Sequence, residues 1–225
     1  MRVSVVMPVL NEAASLERTL RQLRQAGVWQ SIVVDGGSDD DTVSLAREHA
    51  DVVLSSPRGR ARQMNAGGQV AEGEALLFLH ADTELPHGFL QSLTTALDDL
   101  GVVGGRFDVR LDAEGWPFRM IETLMNVRSR LTKISTGDQA IFVRREVFQN
   151  IGGFPDLALM EDIEFSRRLK REGRIACARD RVTTSARRWQ RDGIARTIVK
   201  MWILRLCHFC GVSPTRLRTY YADTR

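Results

Sequence analysis

Acidic and polar side chains follow three short apolar runs of the sequence. Pro8–Glu12 follows the first run, Asp35–Thr42 the second, and His80–Thr83 a later one. If these runs are parallel strands, the three segments meet outside the carboxyl ends of one sheet, where ligands bind. Carboxylates gathered there can accept hydrogen bonds from a base and ribose, or hold a divalent cation on a diphosphate. Because Asp, Asn and Ser also favour turns and helix N-caps, a purely structural role is the alternative.

Three arginines surround a glycine that precedes a helical pattern. Arg58, Arg60 and Arg62 flank Gly59, and a helix N-terminus with guanidinium groups nearby is suited to bind an anion. Simple solvent exposure of these arginines is the alternative. No G-x-G-x-x-G follows the first apolar run, and no G-x-x-x-x-G-K-[ST] occurs in the chain. The sequence therefore argues against a dehydrogenase and a P-loop protein.

The first half of the chain alternates short apolar runs with helical patterns, which repeat apolar residues at three- and four-residue spacing. The predicted strands are Val3–Met7, Ser31–Val34, Val52–Leu54 and Ala75–Leu79. The predicted helices are one that carries Leu16, Leu20 and Leu23, then Thr42–Glu48, Arg60–Ala71 and Phe89–Leu97. This alternation predicts an α/β fold built from β-α-β units, with helices on both faces of a mostly parallel sheet.

The pattern changes after Val102. Alternating apolar residues at Phe107–Leu111 predict an edge or antiparallel strand. Later predicted elements are a helix at Ile121–Leu131, a strand at Ala140–Val143 and a helix at Ile163–Leu169. Because the sequence shows no repeat and no long linker, we expect one domain over residues 1–190, extended by a basic helical segment over residues 191–225.

That C-terminal segment is both basic and amphipathic. Nine Lys and Arg stand against two Asp from residue 187 to residue 225, and Ile194–Val212 mixes apolar Ile198, Trp202 and Phe209 with cations. Such a helix can lie on an anionic membrane surface, form a dimer face or pack on its own domain, and packing on the domain is favoured. Few aromatic residues interleave with the charges, which argues against a nucleic-acid partner.

The composition is that of a soluble globular protein, with 43% hydrophobic and 27% charged residues. The first apolar run is too short for a signal peptide, and no stretch of 18 apolar residues occurs. Three cysteines do not indicate a disulfide framework. We therefore expect a cytoplasmic location, with the inner face of the membrane as an alternative because of the basic C-terminal segment.

Four segments, in this order, resemble the landmarks of family 2 glycosyltransferases, which have the Rossmann-like GT-A fold. They are Pro8-Val9-Leu10-Asn11-Glu12, Val34 to Thr42, His80-Ala81-Asp82 and Met160-Glu161-Asp162. The resemblance extends from Val3 to Leu169, and the run Gly59–Gly67 is similar to a small bacterial subgroup of the family. It implies inverting transfer of a sugar from a nucleoside-diphosphate sugar to an acceptor hydroxyl.

The resemblance also implies roles in binding the donor. Asp35 would hydrogen-bond the base, and Asp82 would ligate Mg²⁺ or Mn²⁺ on the diphosphate. The family pattern is Asp-x-Asp, whereas the first position here is His80, which lacks the negative charge. Arg188-Trp189 resembles the end of a diphosphate-binding motif whose preceding Gln is Ser185 here. The full set implied to bind the donor is Pro8, Val9, Asn11, Glu12, Asp35, Gly37, Arg60, Arg62, Asn65, His80, Ala81, Arg188 and Trp189.

The acceptor side is assigned to two short segments. By the family order, Asp162 would be the general base that deprotonates the acceptor, with Glu161 beside it in the acceptor site. Asp138 and Gln139 have groups that bind sugar hydroxyls. The alternatives are a capped turn before a strand for Asp138 and Gln139, and ordinary first-turn acidic residues for Glu161 and Asp162.

Two other functions are weighed against sugar transfer. A nucleotidyltransferase would show a glycine-rich basic loop directly after the first strand, but Pro8–Ala14 contains no basic residue. A non-enzymatic module that binds anionic surfaces through the C-terminal segment leaves the clustered carboxylates unexplained. We therefore expect a glycosyltransferase.

Overall fold

The computed structural model of the protein describes residues 1–221. Its central feature is a seven-stranded sheet in the order β3-β2-β1-β4-β6-β5-β7. Only β6 is reversed, because it pairs antiparallel with β4 and β5 while the other neighbours pair parallel. The α/β prediction with a mostly parallel sheet is confirmed. The strands are β1 (Val3–Val9), β2 (Gln30–Asp35), β3 (Val52–Ser55), β4 (Ala75–Phe78), β5 (Val102–Leu111), β6 (Ile141–Arg144) and β7 (Arg174–Thr184).

Helices connect the strands and follow the last one, and a 3-10 turn at Gly137–Gln139 precedes β6. Within residues 1–221 the helices are α1 (Ala13–Gln25), α2 (Thr42–His49), α3 (Arg60–Val70), α4 (Phe89–Asp98), α5 (Trp116–Thr132), α6 (Arg145–Asn150), α7 (Glu161–Glu172), α8 (Arg187–Asp192), α9 (Ile194–Phe209) and α10 (Pro214–Tyr220). The predicted helices coincide with α1 to α5, α7 and α9, mostly within a few residues.

Alternate residues of β1 enter two separate hydrophobic clusters. Val5 and Met7 belong to a cluster with α1 and α4, whereas Val6 belongs to one with α3, α6 and α7. Because successive side chains of a strand point to opposite faces, helices cover both faces of the sheet. Helix α3 lies close to the sheet because Gly67 has no Cβ, and a Cβ there would collide with Val6.

The position of β5 agrees with one of the two alternatives that the sequence left open. β5 pairs antiparallel with β6, and it is not an edge strand because β7 pairs with its other side. β7 was not predicted. Its sequence alternates weakly and carries many charged residues, and half-buried or exposed positions occupy most of its length. The strand signal is therefore weak although the strand is eleven residues long.

The C-terminal helices pack on the sheet domain, as favoured from the sequence. Thr197 and Leu204 of α9 and Leu217 of α10 are buried. Leu204 and Leu217 share a cluster with Met160 and Ile163 at the start of α7. Within residues 1–221, no helix is both long enough and apolar enough to cross a membrane. The division into residues 1–190 and 191–225 stays a prediction.

Candidate active site

The carboxyl ends of β2, β1 and β4 lie side by side at one edge of the sheet, because these strands are adjacent and parallel. The reversed β6 brings its amino end to the same edge, where Phe78 of β4 pairs with Ile141. The loops after the three parallel strands therefore meet the 3-10 turn that precedes β6. The topology brings together the polar segments that were singled out in the sequence.

Gln63 of α3 joins the ends of β1 and β2. Its buried Nε2 donates hydrogen bonds to the carbonyl oxygens of Val9 and Val34, both at 2.8 Å. Its Oε1 accepts the Gly59 N–H at 3.4 Å. The amide thus ties the loop before α3 to the floor of the site. The sequence analysis did not predict this role of Gln63. The signal in the sequence is a polar residue on the buried side of a helical pattern.

Asp35 ends β2 and organises the turn that follows. Its carboxylate accepts the N–H of Gly37 at 2.9 Å, and both the N–H and the hydroxyl of Ser38, at 3.2 and 2.5 Å. Gly37 has a φ of 93°, which favours glycine. The side chain of Asp35 is 5% exposed. The turn-forming alternative is thus realised, and contact between Asp35 and a base stays a prediction.

The loop after β1 is fixed to the loop after β2. The side-chain oxygen of Asn11 accepts the Asp39 N–H, and the Asn11 N–H donates to the Ser38 hydroxyl, both at 2.9 Å. The N–H of Glu12 donates to the Thr42 hydroxyl at 2.9 Å. These bonds hold Asn11 and the buried Glu12 at the edge of the sheet, as the motif predicted.

A cavity of about 280 Å³ opens between the end of β1 and the start of α3. Burial lowers the pKa of Arg60, but nearby acidic groups, first among them Glu161, outweigh this effect and raise it. Arg60 therefore remains a cation that balances the acidic residues at this edge. The cavity is lined by Pro8, Val9, Leu10, Arg58, Gly59, Arg60, Ala61, Arg62, Gln63, Asp156, Leu157, Ala158, Leu159, Glu161, Arg188 and Tyr221.

Two of the lining arginines have partners that were not predicted. The Nε of Arg62 donates to both carboxylate oxygens of Asp156 at 3.0 Å. The guanidinium of Arg188 lies 4.9 Å from the centre of the Tyr221 ring, a cation–π contact. The C-terminal end of the described chain thus contributes a wall to the cavity, which no local sequence signal indicates.

Glu161 and Asp162 begin α7. Burial, and then the charge of Asp162, raise the pKa of Glu161 to about 7, while Arg60 opposes the shift. The Oδ2 of Asp162 accepts the Gly137 N–H at 2.9 Å, and its Oδ1 accepts the Ile163 N–H at 2.8 Å. A carboxyl group with a pKa near neutrality is well suited to proton transfer. The raised pKa makes Glu161 suited to proton transfer, and the role of Asp162 as a base stays a prediction.

The 3-10 turn at Gly137–Gln139 packs directly on His80. A Cβ at Gly137 would lie 2.7 Å from the Nε2 of the buried His80, so this position has room only for glycine. Asp138, the next residue, acts electrostatically on Arg60 and Arg205. The turn therefore carries a carboxylate to the same edge as Asp162.

The acceptor assignment of Gln139 is corrected by the structure. Its side chain is 0% exposed. The Nε2 donates to the Ser129 hydroxyl at 3.0 Å, and the Oε1 accepts the Thr136 N–H at 3.2 Å. Because both ends of the amide are engaged inside the protein, Gln139 shapes the turn that presents Asp138 and does not reach an acceptor.

Asp82 follows β4 and forms an ion pair with Arg187 at 3.2 Å. No group of three or more His, Cys, Asp or Glu side chains among the described residues is arranged to hold a metal ion. A divalent ion at Asp82 would thus take most of its ligands from substrate oxygens and water, as Mg²⁺ commonly does. Arg187 was not predicted as a site residue, although its neighbour Arg188 was.

Three residues implied to bind the donor have scaffolding contacts instead. Asn65 bonds the backbone N–H and carbonyl of Phe154, both at 2.8 Å. The carbonyl of the buried Ala81 accepts the Thr19 hydroxyl at 2.8 Å. Trp189 packs against a hydrophobic cluster that includes Leu111, Ala113, Ile121 and Ala186. Asn65, Ala81 and Trp189 are not among the described residues that line the cavity, and their contact with a donor stays a prediction.

The protein is thus an α/β protein with an arginine-lined cavity at the carboxyl ends of its parallel strands, where open α/β sheets bind ligands. The profile of the family described as "Glycosyl transferase family 2" matches residues 4–152, more than half of the chain. The chain therefore belongs to glycosyl transferase family 2.

Relatives of known name agree with this membership. Glycosyltransferase AglE of Haloferax volcanii is 26% identical over 184 residues, covering 74% of this chain and 60% of that protein. An undecaprenyl-phosphate 4-deoxy-4-formamido-L-arabinose transferase of Pectobacterium carotovorum is 34% identical over 158 residues, covering 63% of this chain and 47% of that protein. The chain thus matches less than two thirds of the length of these relatives.

Solved structures show the same fold. Glucosyl-3-phosphoglycerate synthase from Mycobacterium tuberculosis, in complex with Mn²⁺ and UDP-glucose, has a TM-score of 0.65 at 21% identity, covering 94% of this chain and 79% of that one. S. aureus TarS 1-349 in complex with UDP-GlcNAc has a TM-score of 0.63 at 21% identity, covering 82% and 58%. The GT-A fold implied by the sequence is confirmed.

Proposed function

We propose that this protein transfers a sugar from a nucleoside-diphosphate sugar to an acceptor hydroxyl. The observation that carries the proposal is the pairing of opposite charges across one cavity. Arg60 lies at the start of α3 and Glu161 at the start of α7, and both line the same space beside β1. Cations on one side can bind a leaving diphosphate, while carboxylates on the other can receive a proton.

The donor would lie across the strand ends. We assign the base to Asp35 and the loop after β1, and the diphosphate to Arg58, Arg60 and Arg188. The solved relatives with UDP-glucose and UDP-GlcNAc support a nucleotide-sugar donor. Membership of the same family and the absence of basic residues from Pro8–Ala14 disfavour a nucleotidyltransferase.

A divalent ion fits the site only with the help of the donor. Asp82 supplies one carboxylate, and its partner Arg187 would have to yield before a metal ion binds. A bound Mg²⁺ or Mn²⁺ would neutralise charge that develops on the departing diphosphate. The Mn²⁺ present in the solved mycobacterial relative supports this assignment.

The chemistry assigned to the carboxylates is general-base catalysis with inversion at the anomeric carbon. The acceptor oxygen forms a bond to that carbon while the bond to the diphosphate oxygen breaks and its electron pair leaves with the diphosphate. Asp162 takes the proton of the acceptor hydroxyl. The hydrogen bond from the Gly137 N–H orients its carboxylate.

We also propose that the protein contacts a membrane surface. Helix α9 packs on the domain through one face but exposes apolar residues on the other, with Phe209 76% exposed. Helix α5 exposes a second apolar stripe with helical periodicity. Cations on α9, including the exposed Arg196, favour an anionic lipid surface. The relative that acts on undecaprenyl phosphate supports this proposal. The two stripes are Val199, Trp202, Ile203, Leu206 and Phe209 on α9, and Trp116, Met120, Leu124, Val127 and Leu131 on α5.

The experiment that tests the donor proposal is a thermal-shift screen of nucleoside diphosphates and nucleotide sugars, with and without Mn²⁺. A ligand at one hundred times its dissociation constant stabilises a protein by about 2.7 kcal/mol. Asp35→Ala should weaken binding of the best ligand by about 1.5–3 kcal/mol. Asp39→Ala, an exposed carboxylate in the same loop, is the matched control. If no nucleotide raises the melting temperature, the proposal fails.

A further inference from the structure

Two arginines outside the donor cavity have buried guanidinium atoms that lack hydrogen bonds. Arg128 lies on α5 and Arg205 on α9. Within the described part of the chain, Nε and Nη2 of Arg128 and Nε of Arg205 are buried and make no hydrogen bond. Buried polar groups are hydrogen-bonded in nearly all native structures. The lack of hydrogen bonds to these N–H groups therefore needs an explanation, and the nucleotide-sugar cavity does not provide one.

Helices α5 and α9 both pack on one hydrophobic cluster. Met125, three residues before Arg128, packs on the same hydrophobic cluster as Ile194 and Ile198 of α9. Residues three and seven apart share a helix face, so Arg128 follows Met125, and Arg205 follows Ile198, along the contacting faces. Arg205 is also close enough to Arg128 to repel it electrostatically, so these two helix faces form a seam that carries both guanidinium groups.

The same seam leads to the acceptor side of the site. Leu204, which precedes Arg205, is buried with Met160 and Ile163, the residues on either side of Glu161 and Asp162. Helix α9 is thus anchored to the start of α7, and Arg205 is close enough to Asp162 and Asp138 to interact with both electrostatically.

The charges along this seam are not balanced. Burial lowers the pKa of Arg128 to about 10, and repulsion by Arg205 adds to the effect while Asp162 opposes it. Burial also lowers the pKa of Arg205, although Asp162 and Asp138 counteract it. The same two carboxylates also act on Arg60. An additional anion between the helices would relieve this excess of positive charge.

We propose that Arg128 and Arg205 bind a phosphate group of the acceptor, beside Asp138 and Asp162. This site rests on the proposed function, because the hydroxyl that Asp162 deprotonates, either a carbon-bound hydroxyl or the P–OH of the phosphate itself, must face Asp162 while the phosphate occupies the two arginines. Guanidinium groups match phosphate oxygens in geometry and stay charged. The phosphate belongs either to a soluble phosphate monoester or to a lipid phosphate, whose chain would extend toward the exposed apolar stripes of α5 and α9.

The test is calorimetry with two probes, glycerol phosphate and dodecyl phosphate below its micelle concentration. Excess UDP is present to occupy the donor cavity. Arg128→Met and Arg205→Met should each weaken phosphate binding by roughly tenfold to a hundredfold, the loss expected for charge-assisted hydrogen bonds. Arg128→Lys should retain part of the affinity. Arg24→Met, at an exposed cation on α1, is the matched control and should bind like the native protein.

Stability provides a second readout. Each Met variant removes buried N–H groups that make no hydrogen bond, so neither variant should lower the melting temperature. Loss of an arginine with a structural role would lower it. Tighter binding of dodecyl phosphate than of glycerol phosphate identifies a lipid acceptor, and equal binding identifies a soluble one. If neither probe binds, or if Arg24→Met loses as much affinity as the other two variants, the phosphate site is wrong. UDP binding by all variants keeps that outcome separate from failure of the donor proposal.

Discussion

Single residues at the site differ in whether their polar groups already make hydrogen bonds inside the protein. The amides of Gln63 and Gln139 are fully committed to backbone and hydroxyl partners. Asp162 accepts only backbone N–H groups among the hydrogen bonds described, so these bonds orient its carboxylate. This difference separates residues that shape the edge from residues that are placed to react.

Asp162→Asn tests the base assignment. The amide keeps the shape and an oxygen for the Gly137 N–H but takes no proton from the acceptor. We expect donor affinity to be retained while the transfer rate falls by about 10²–10⁴-fold, the usual contribution of a general base. Glu161→Gln is the control and should cost less. A transfer rate in Asp162→Asn within a few-fold of native would contradict the assignment, and an equal loss of donor binding would move Asp162 into the donor site.

Asp82→Asn tests the metal assignment. Removing the formal charge should weaken the effect of Mn²⁺ on donor affinity. The loss should be at least roughly 10–100-fold, which is the loss of metal affinity seen when a residue that supports a metal ligand is mutated. His80→Asp should strengthen the effect by restoring the family pair, and Arg187→Met should do so by releasing Asp82. The measurement is donor binding with Mn²⁺ and with EDTA. Equal donor affinity in both conditions for the native protein would mean that the arginines, and not a metal ion, bind the diphosphate.

At the scale of elements, two features complete the site. The reversal of β6 carries the 3-10 turn with Asp138 to the edge formed by the parallel strands. The C-terminal helices then close the cavity, because Tyr221 after α10 and Arg188 of α8 line it together. Both arrangements join segments that are far apart in the sequence.

Leu204→Ala tests the packing of α9 on the domain. Leu204 is buried, so its truncation should lower the free energy of unfolding by about 2–5 kcal/mol. Leu206→Ala, on the exposed face, should change it by no more than about 0.5 kcal/mol. Chemical denaturation measures both. A truncation after Arg191 should likewise aggregate, because it exposes the surface that α9 and α10 cover. Similar small losses for Leu204→Ala and Leu206→Ala would contradict the packing.

The exposed face of α9 has a separate test. Phe209→Ser should reduce co-sedimentation with anionic vesicles severalfold, because it removes apolar area from the proposed membrane contact. Its melting temperature should stay close to the native value, since Phe209 is exposed. Leu100→Ser, at another exposed apolar residue outside α5 and α9, is the matched control. Unchanged vesicle binding by Phe209→Ser would remove α9 from the membrane contact.

At the scale of the whole molecule, the raised pKa of Glu161 links stability to pH. The ordinary value is 4.5 and the folded value is about 7. Between these values the folded protein binds more protons than the unfolded chain, so the free energy of unfolding falls as pH rises through this range. Glu161→Gln should flatten that part of the profile. Urea denaturation from pH 4.5 to pH 8 measures it, and identical slopes in both proteins would contradict the shift.

The sequence by itself determined six of the seven strands of the sheet, the order of the motifs and most of the helices. Short apolar runs and helical spacing are local signals, and β1, β2 and β4 carry such runs clearly. Asp35, Asp82 and Asp162 were identified because they follow landmarks in a family order. The arginines near Gly59 were found because they flank a predicted helix start.

The tertiary structure decided what depends on distant contacts. β7 carries a weak local signal and forms by pairing with β5. The burial of Gln139, the ion pair of Asp82 with Arg187 and the arrival of Tyr221 at the cavity each join residues separated by many positions. Arg128 and Arg205 are also brought together from distant parts of the chain, and in the sequence nothing distinguishes them from other cations on helices. In the folded protein their guanidinium atoms are buried and interact electrostatically with Asp162, because burial and charge balance are properties of the folded chain.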